Sequence, residues 1–203
     1  MASVRQSTSR SIKPSDSRSS KKSLSRGKKS RVESKLIFVL GGARSGKSSF
    51  ALQQGKGKAP RAFVATGEPF DQEMVARIRK HQQSRGKRWV TKEVPIDLAA
   101  WLEHEGADYP IVVVDCLTLW LNNLLRSKVR ASRVLSQVRK LLKAIRACPT
   151  QVVMVSNELG LGLVPGDSVS REFRDLAGRM NQLVAAEADE VHFLVSGLPL
   201  RMK

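Results

Sequence analysis

The sequence predicts an α/β fold, a doubly wound and mostly parallel sheet with helices on both faces. Three observations carry that expectation. The apolar run Leu36-Ile37-Phe38-Val39-Leu40 empties into a glycine-rich loop, Gly41 to Ser48, and then into a stretch with helical character. Ile111-Val112-Val113-Val114-Asp115-Cys116 is a continuous apolar run closed by an acid, as expected of a strand buried on both faces of a parallel sheet. Strand-length apolar runs then alternate with helix-length segments along the chain, the order of a βαβ architecture.

The elements follow in order. Ser49 to Gln54 continues the first helix, and Gly55-Lys56-Gly57-Lys58-Ala59-Pro60 ends it. Arg61 to Thr66 is a second strand, stopped by Gly67. From Asp71 to about Ser84 the spacing turns helical, with Met74, Ile78 and His81 at i, i+4 and i+7. Trp89 to Val94 is a shorter strand and Ile96 to His104 a short helix. After the Ile111 strand comes a long helical region, Leu117 to Ala147, with a break near Ser127 to Ser132. Val152 to Ser156 is a second fully apolar strand, followed by a glycine-rich loop from Asn157 to Asp167. A helix from Ser168 to Ala188, a strand from Val191 to Ser196 and a short run from Leu198 complete the chain.

The chain has 203 residues, room for one domain of ordinary size and a tail. Residues 1–34 hold ten basic and two acidic residues, many serines and few large apolar side chains. Such a segment cannot bury enough surface to offset its ordering entropy, so it is expected to be a disordered basic tail, with the folded domain spanning 35–203. Its net charge is +8 of the chain's formal net +18, which leaves the body basic as well. A basic body suits nucleotides and also nucleic acid, and charge alone does not choose between them. The tail itself is open to three readings: a solvated extension, a non-specific nucleic-acid contact, or a cleaved transit peptide. No run reaches the length of a membrane span and no secretory core follows Met1, so a soluble, cytoplasmic protein is expected. Cys116 and Cys148 sit in apolar sequence and read as reduced core thiols.

The chemistry-bearing groups start with the loop. Gly41 to Ser48 has the form G-x-x-x-x-G-K-S between a strand and a helix, the Walker A phosphate-binding pattern. Glycines let backbone N–H groups turn in on phosphate oxygens, Lys47 adds a point charge, Ser48 offers a hydroxyl to Mg²⁺, and the helix start presents its positive dipole end. Asp115, at the end of a buried strand, is the expected acid partner of that Mg²⁺, the competing reading being a helix cap. His81 has Arg77 and Arg85 one helical turn to either side and Lys80 next to it. Those cations disfavour the imidazolium and would hold phosphates near a neutral, nucleophilic ring, suiting covalent transfer of a phosphoryl or nucleotidyl group. A partly exposed histidine in a basic helix is the competing reading. His104 and His192 lack such surroundings. Asn157-Glu158 and the loop Leu159 to Pro165 leave a buried strand at its carboxyl end, the place of either a substrate loop or an ordinary connection. Trp89, Trp101 and Trp120 fall in apolar patterns and read as core.

Taken together, GGARSGKS, Ala65-Thr66-Gly67, DQEMVARIRKHQQSRG, VDCLTLW, SNELGLGLVP, REFRDLAGRMNQLVAAEADEV and VSGLP resemble, in order, the blocks of the bifunctional adenosylcobinamide kinase / adenosylcobinamide-phosphate guanylyltransferase family of cobalamin biosynthesis, the CobU/CobP type. The resemblance covers residues 36 to about 199. It implies a P-loop NTPase fold of RecA-like kind and two reactions. ATP or GTP would phosphorylate the hydroxyl of the aminopropanol arm of adenosylcobinamide. GTP would then guanylylate a histidine, and adenosylcobinamide phosphate would take the GMP to give adenosylcobinamide-GDP.

Position by position, the resemblance makes His81 the guanylylated histidine and Lys47 a catalytic residue of the phosphate loop. Its nucleotide contacts would be Gly41, Gly42, Ala43, Arg44, Ser45, Gly46, Lys47, Ser48, Ala65, Thr66, Gly67, Gln82, Gln83, Ser84, Arg85, Glu93 and Asp115. Mg²⁺ would take Ser48 and Asp115. It also implies a homo-oligomer, a trimer being found in the family. The basic tail is not a family feature, and the stretch Arg126 to Arg133 is shorter and more basic than the family pattern. Two other readings remain open on the residues: a P-loop kinase or NTPase for another small molecule, and a basic nucleic-acid-binding protein.

Overall fold

The computed structural model describes residues 1–2, 34–68, 72, 75 and 88–203. Most of the expected tail 1–34 and of the expected helix Asp71–Ser84 lies outside the described residues. The strands are β1 (Lys35–Gly41), β2 (Arg61–Ala65), β3 (Trp89–Glu93), β4 (Ile111–Asp115), β5 (Gln151–Val155), β6 (Glu190–Val195) and β7 (Leu198–Arg201). The helices are α1 (Lys47–Gln53), α2 (Leu98–Glu105), α3 (Leu117–Arg126), α4 (Ala131–Ala147) and α5 (Ser168–Glu187). Among the described residues these strands form one sheet in the order β3-β2-β4-β5-β1-β6-β7.

Every neighbouring pair is parallel except β6 and β7. The exception has a local cause. Ser196 and Gly197 both take positive φ (51° and 84°), the requirement of a two-residue hairpin turn, and Val195 pairs with Leu198 across it. The short terminal run expected from Leu198 is therefore an antiparallel edge strand. The break expected after Leu117 falls at 127–130. There Lys128 turns left-handed (φ 62°), and the N–H groups of Lys128 and Val129 close back on the carbonyls of Leu125 and Leu124.

The strands read as unbroken apolar runs because the sheet is covered on both sides. On one face Ile37, Val39, Phe63, Val113, Val153 and Val155 pack with Phe50, Ala51 and Leu52 of α1. On the other, Leu36, Phe38, Ala62, Val64, Val112, Val114, Val152 and Met154 pack under α2 to α5. Helix α4 shows how the second layer is selected: Val134, Val138, Leu141, Leu142 and Ile145 follow helical spacing and are buried, while Arg139, Lys140 and Lys143 face water.

At the amino end of the sheet, β1 is tied to the α5–β6 junction by polar contacts. The Leu36 N–H donates to Asp189 Oδ2 at 2.7 Å, and Arg146 Nη1 donates to the same oxygen at 2.8 Å. Lys35 pairs with Glu190 at 2.6 Å. The Arg146 guanidinium, with the Leu36 N–H behind it, holds the Asp189 carboxyl below the usual carboxylate range. Lys35 does the same for Glu190. A depressed carboxylate pKa stabilises the fold above the unfolded value and loses that contribution as pH falls through the folded value. Asp189→Asn is therefore expected to cost up to about 1 kcal/mol at pH 7, because the pair is partly solvated. That difference from the parent should be smaller at about pH 2, below the ordinary carboxylate range, than at pH 7. Urea denaturation midpoints at the two pH values check it, and an equal loss at both would remove Asp189 as the cause.

Candidate active site at the carboxyl edge of the sheet

Register places the expected site residues along one edge. Glu93, Ala65, Asp115 and Val155 occupy one row across β3, β2, β4 and β5, and Val155 in turn pairs with Val39, two residues before Gly41. From this edge the chain leaves β1 toward α1 on one face, and leaves the adjacent β5 toward α5 on the other. Two neighbouring strands whose connections diverge to opposite faces open a crevice between their loops, the usual ligand position in open α/β sheets.

The loop Gly41 to Ser48 forms one wall. Lys47 is buried and its Nζ donates to the Gly42 carbonyl at 2.6 Å, which curls the loop around its own lysine. Arg44 (φ 57°) and Gly46 (φ 96°) are left-handed, and Gly46 is the residue from which α1 starts. Gly41 (φ 152°) has no room for a side chain: a Cβ there would lie 2.5 Å from the Leu194 carbonyl oxygen and 2.7 Å from Ser45 Oγ. The loop is also fastened to the β6–β7 turn, since the Gly197 N–H donates to the Ser45 carbonyl at 2.9 Å. Ser45 Oγ is buried and has no hydrogen-bond partner among the described residues. An unpartnered buried hydroxyl in a glycine-rich loop that leads into a helix start is a group a bound phosphate could help to satisfy.

The second wall begins at β5. The Glu158 N–H donates to the Gly41 carbonyl at 3.1 Å, so the two diverging loops touch at their roots. Asn157 N–H donates to Thr118 Oγ1 at 2.9 Å, and Thr118 Oγ1 lies 3.3 Å from Ser156 Oγ. Asn181 of α5 donates to the Asn157 carbonyl at 3.1 Å. On the other side of β4, Thr66 accepts from the Cys116 N–H at 2.8 Å and donates to the Cys116 carbonyl at 2.7 Å. Asn123 Nδ2 bridges the carbonyls of Thr66 and Pro95 at 2.7 and 3.0 Å. These buried side chains lace the strand ends together.

Asp115 is half-buried at the end of β4, and Ser48 is half-buried at the start of α1. Burial, with the Asp115 carboxylate adding to it, pushes the Cys116 thiol up to about 12, so that sulfur stays protonated and is no nucleophile. Thr66 is fully buried, its hydroxyl committed to Cys116, its N–H to the Asp115 carbonyl and its own carbonyl to Asn123, so it builds the strand ends rather than lining the crevice. A Cβ on Gly67 would touch Leu119 at 3.3 Å, which brings that strand end close to α3. Glu93 is exposed at the end of β3. His81, Gln82, Gln83, Ser84 and Arg85, with Arg77 and Lys80, lie outside the described residues. Of the other histidines, His104 is exposed on α2, and His192 packs against Phe50 (4.9 Å between rings) with Nε2 3.3 Å from Glu190. Trp101 and Trp120 are buried, and Trp89 is half-buried under Arg61.

Thr118, Asn123 and Asn181 are site-building residues that motif reading passed over. Each interrupts the apolar face of a helix, and a polar side chain at a buried helical position needs a fixed partner. That interruption was their only sequence signal.

Comparison with known proteins bears on what the crevice serves. The sequence profile described as "Cobinamide kinase / cobinamide phosphate guanyltransferase" matches residues 37–202. The chain belongs to that family. The bifunctional adenosylcobalamin biosynthesis protein CobP of Pseudomonas aeruginosa is 41% identical over 167 residues, 81% of this chain and 95% of that protein. The bifunctional adenosylcobalamin biosynthesis protein CobU of Escherichia coli is 35% identical over 180 residues, 83% and 99% respectively. Among solved structures, the flagellar accessory protein FlaH of Methanocaldococcus jannaschii matches with a TM-score of 0.48 at 14% identity, covering 84% of this chain and 79% of that one. Among the described residues no helix is long and apolar enough to cross a membrane.

Within this family member the phosphate loop depends on the missing side chain at its first glycine. Gly41→Ala should lower unfolding stability by about 1–3 kcal/mol through the clash with the Leu194 carbonyl. Gly42→Ala meets nothing within 4 Å and should stay within about 0.5 kcal/mol. Chemical denaturation of the two variants side by side tests the geometry, and equal losses would refute it.

Proposed function

We propose that the chain phosphorylates adenosylcobinamide and then transfers GMP to the product through His81. The observation that carries this reading is the family match across 37–202, which includes both the phosphate loop and the His81 segment. In the first reaction the arm hydroxyl oxygen forms a bond to the γ-phosphorus of ATP or GTP while the bond to the nucleoside diphosphate breaks. The hydroxyl proton leaves to solvent. In the second, a ring nitrogen of His81 attacks the α-phosphorus of GTP and pyrophosphate departs. A phosphate oxygen of adenosylcobinamide phosphate then attacks that phosphorus and His81 leaves, giving adenosylcobinamide-GDP.

The residues of the chain have distinct parts in this scheme. The backbone of Gly41 to Ser48 binds the triphosphate, and Lys47 neutralises charge that builds on the transferred group. Ala65 to Gly67, Gln82 to Arg85 and Glu93 hold the nucleotide, and Arg77 and Arg85 keep phosphates beside His81. Ser48 and Asp115 are hard oxygen donors at the same edge, and no cluster of three or more His, Cys, Asp or Glu occurs among the described residues. That donor set suits Mg²⁺, which binds through one or two protein oxygens plus phosphates and would neutralise β- and γ-phosphate charge.

Incubation with α-³²P-GTP should leave an acid-labile, base-stable label on the protein that His81→Ala does not acquire. A parent protein that binds GTP yet takes no label would sink the guanylyl-transfer half. Lys47→Ala should lower kcat for adenosylcobinamide phosphorylation by roughly 10²–10³-fold, the scale for losing one electrostatic stabiliser of a transition state. Retention of parental kcat in that variant would remove Lys47 from the chemistry.

A further inference from the structure

The nucleotide edge accounts for the phosphate loop but leaves an apolar groove beside it unused. This groove, 830 Å³ in volume, lies among the end of α3, the start of α4, the first turns of α5 and the loop 157–167. Leu125, Leu159, Leu163 and Phe173 contribute to its lining, and Arg126 and Arg174 stand in it as well. Its volume falls in the range of small-molecule sites.

Three features set it apart from a packing defect. Leu163 and Val169, both in its lining, are left 95% and 75% exposed, so large apolar side chains of the groove face water. Gly162 and Gly166 are not required by the fold: a Cβ at either would meet nothing within 4 Å, and neither has a left-handed φ. What they add is backbone freedom in the segment that carries the exposed leucines. The groove also shares its walls with the nucleotide edge. Leu159 follows Glu158, whose N–H binds the Gly41 carbonyl, and Asn122 faces the groove while its neighbour Asn123 holds the Thr66 carbonyl.

We propose that this groove seats the corrin macrocycle of cobinamide and of its phosphate, which rests on the reading of the chain as a cobinamide-using enzyme. A corrin is a broad ring system studded with methyl groups and rimmed by carboxamides. Apolar walls match the ring, and the guanidinium of Arg174, whose Nε lies 3.9 Å from Asp175, has further N–H donors that match carboxamide oxygens. A nucleotide fits the groove poorly, because the phosphate-binding loop opens from β1 toward α1 on the opposite face of the sheet. Seated here, the macrocycle would send its flexible arm toward the phosphate loop along the side where Glu158 contacts Gly41.

The test uses the full chain with Leu163→Asp and Val169→Asp combined, both at exposed positions whose change does not disturb the core. Cobinamide binding is measured by equilibrium dialysis, GTP binding and α-³²P-GTP labelling in parallel, and mass by analytical ultracentrifugation. Two buried carboxylates against the ring should raise the cobinamide Kd at least tenfold, with GTP affinity, labelling and mass unchanged. An unchanged cobinamide Kd overturns the groove assignment, while parental labelling in the same samples leaves the proposed activity standing. Weaker cobinamide binding that appears only together with a changed mass assigns the surface to contact between copies and also overturns it. A parent protein that neither binds cobinamide nor takes label defeats the underlying reading of function, and the groove assignment with it.

Discussion

The close approach of the Leu194 carbonyl to the backbone of Gly41 is the constraint on which the site depends. With 2.5 Å between that oxygen and the place of a Cβ, β1 has to end in a residue without a side chain. Only then can β6 stay in register with β1 up to the last pair, Gly41 and Leu194. The β6–β7 turn behind it can then hold the Ser45 carbonyl. The phosphate loop is thus braced from a hairpin some 150 residues away in sequence, which is why a short, glycine-rich segment keeps one shape.

A second constraint follows from the divided layers. Helix α1 alone among the described helices covers one face, while α2 to α5 build the larger core on the other. Because β1 and β5 are neighbours that feed opposite layers, their loops part above the sheet. Buried polar side chains then fasten the exposed strand ends: Thr66 on Cys116, Asn123 on Thr66 and Pro95, Thr118 on Asn157, Asn181 on Asn157. Each is a hydrogen bond whose loss would strand a buried group, so together they resist drift of the carboxyl edge of the sheet.

The apolar groove and the nucleotide edge use this frame in different ways. Nucleotide phosphates ask for rigid N–H groups, supplied by a loop wedged between strands. On the proposed reading a macrocycle would ask for area and adaptability, which the loop 157–167 offers through its exposed leucines and through Gly162 and Gly166, where a Cβ would meet nothing within 4 Å. Glu158 links them: its N–H binds the Gly41 carbonyl, and the next residue, Leu159, lines the groove.

Much of this was legible in the chain itself. Unbroken apolar runs at Ile111 to Val114 and Val152 to Val155 announced buried parallel strands, because a strand covered on both faces has no polar side. The pattern from Gly41 to Ser48 announced phosphate binding, because its spacing encodes local backbone geometry. The matched blocks together announced the family. Strand order was not legible: nothing local says that β5 lies between β1 and β4, or that the last run folds back antiparallel, since those are pairings between distant segments. Nor could Asn123, Asn181 or the groove be found in advance. A buried asparagine differs from a solvated one only in what the rest of the fold places around it, and a cavity exists only when several elements have met.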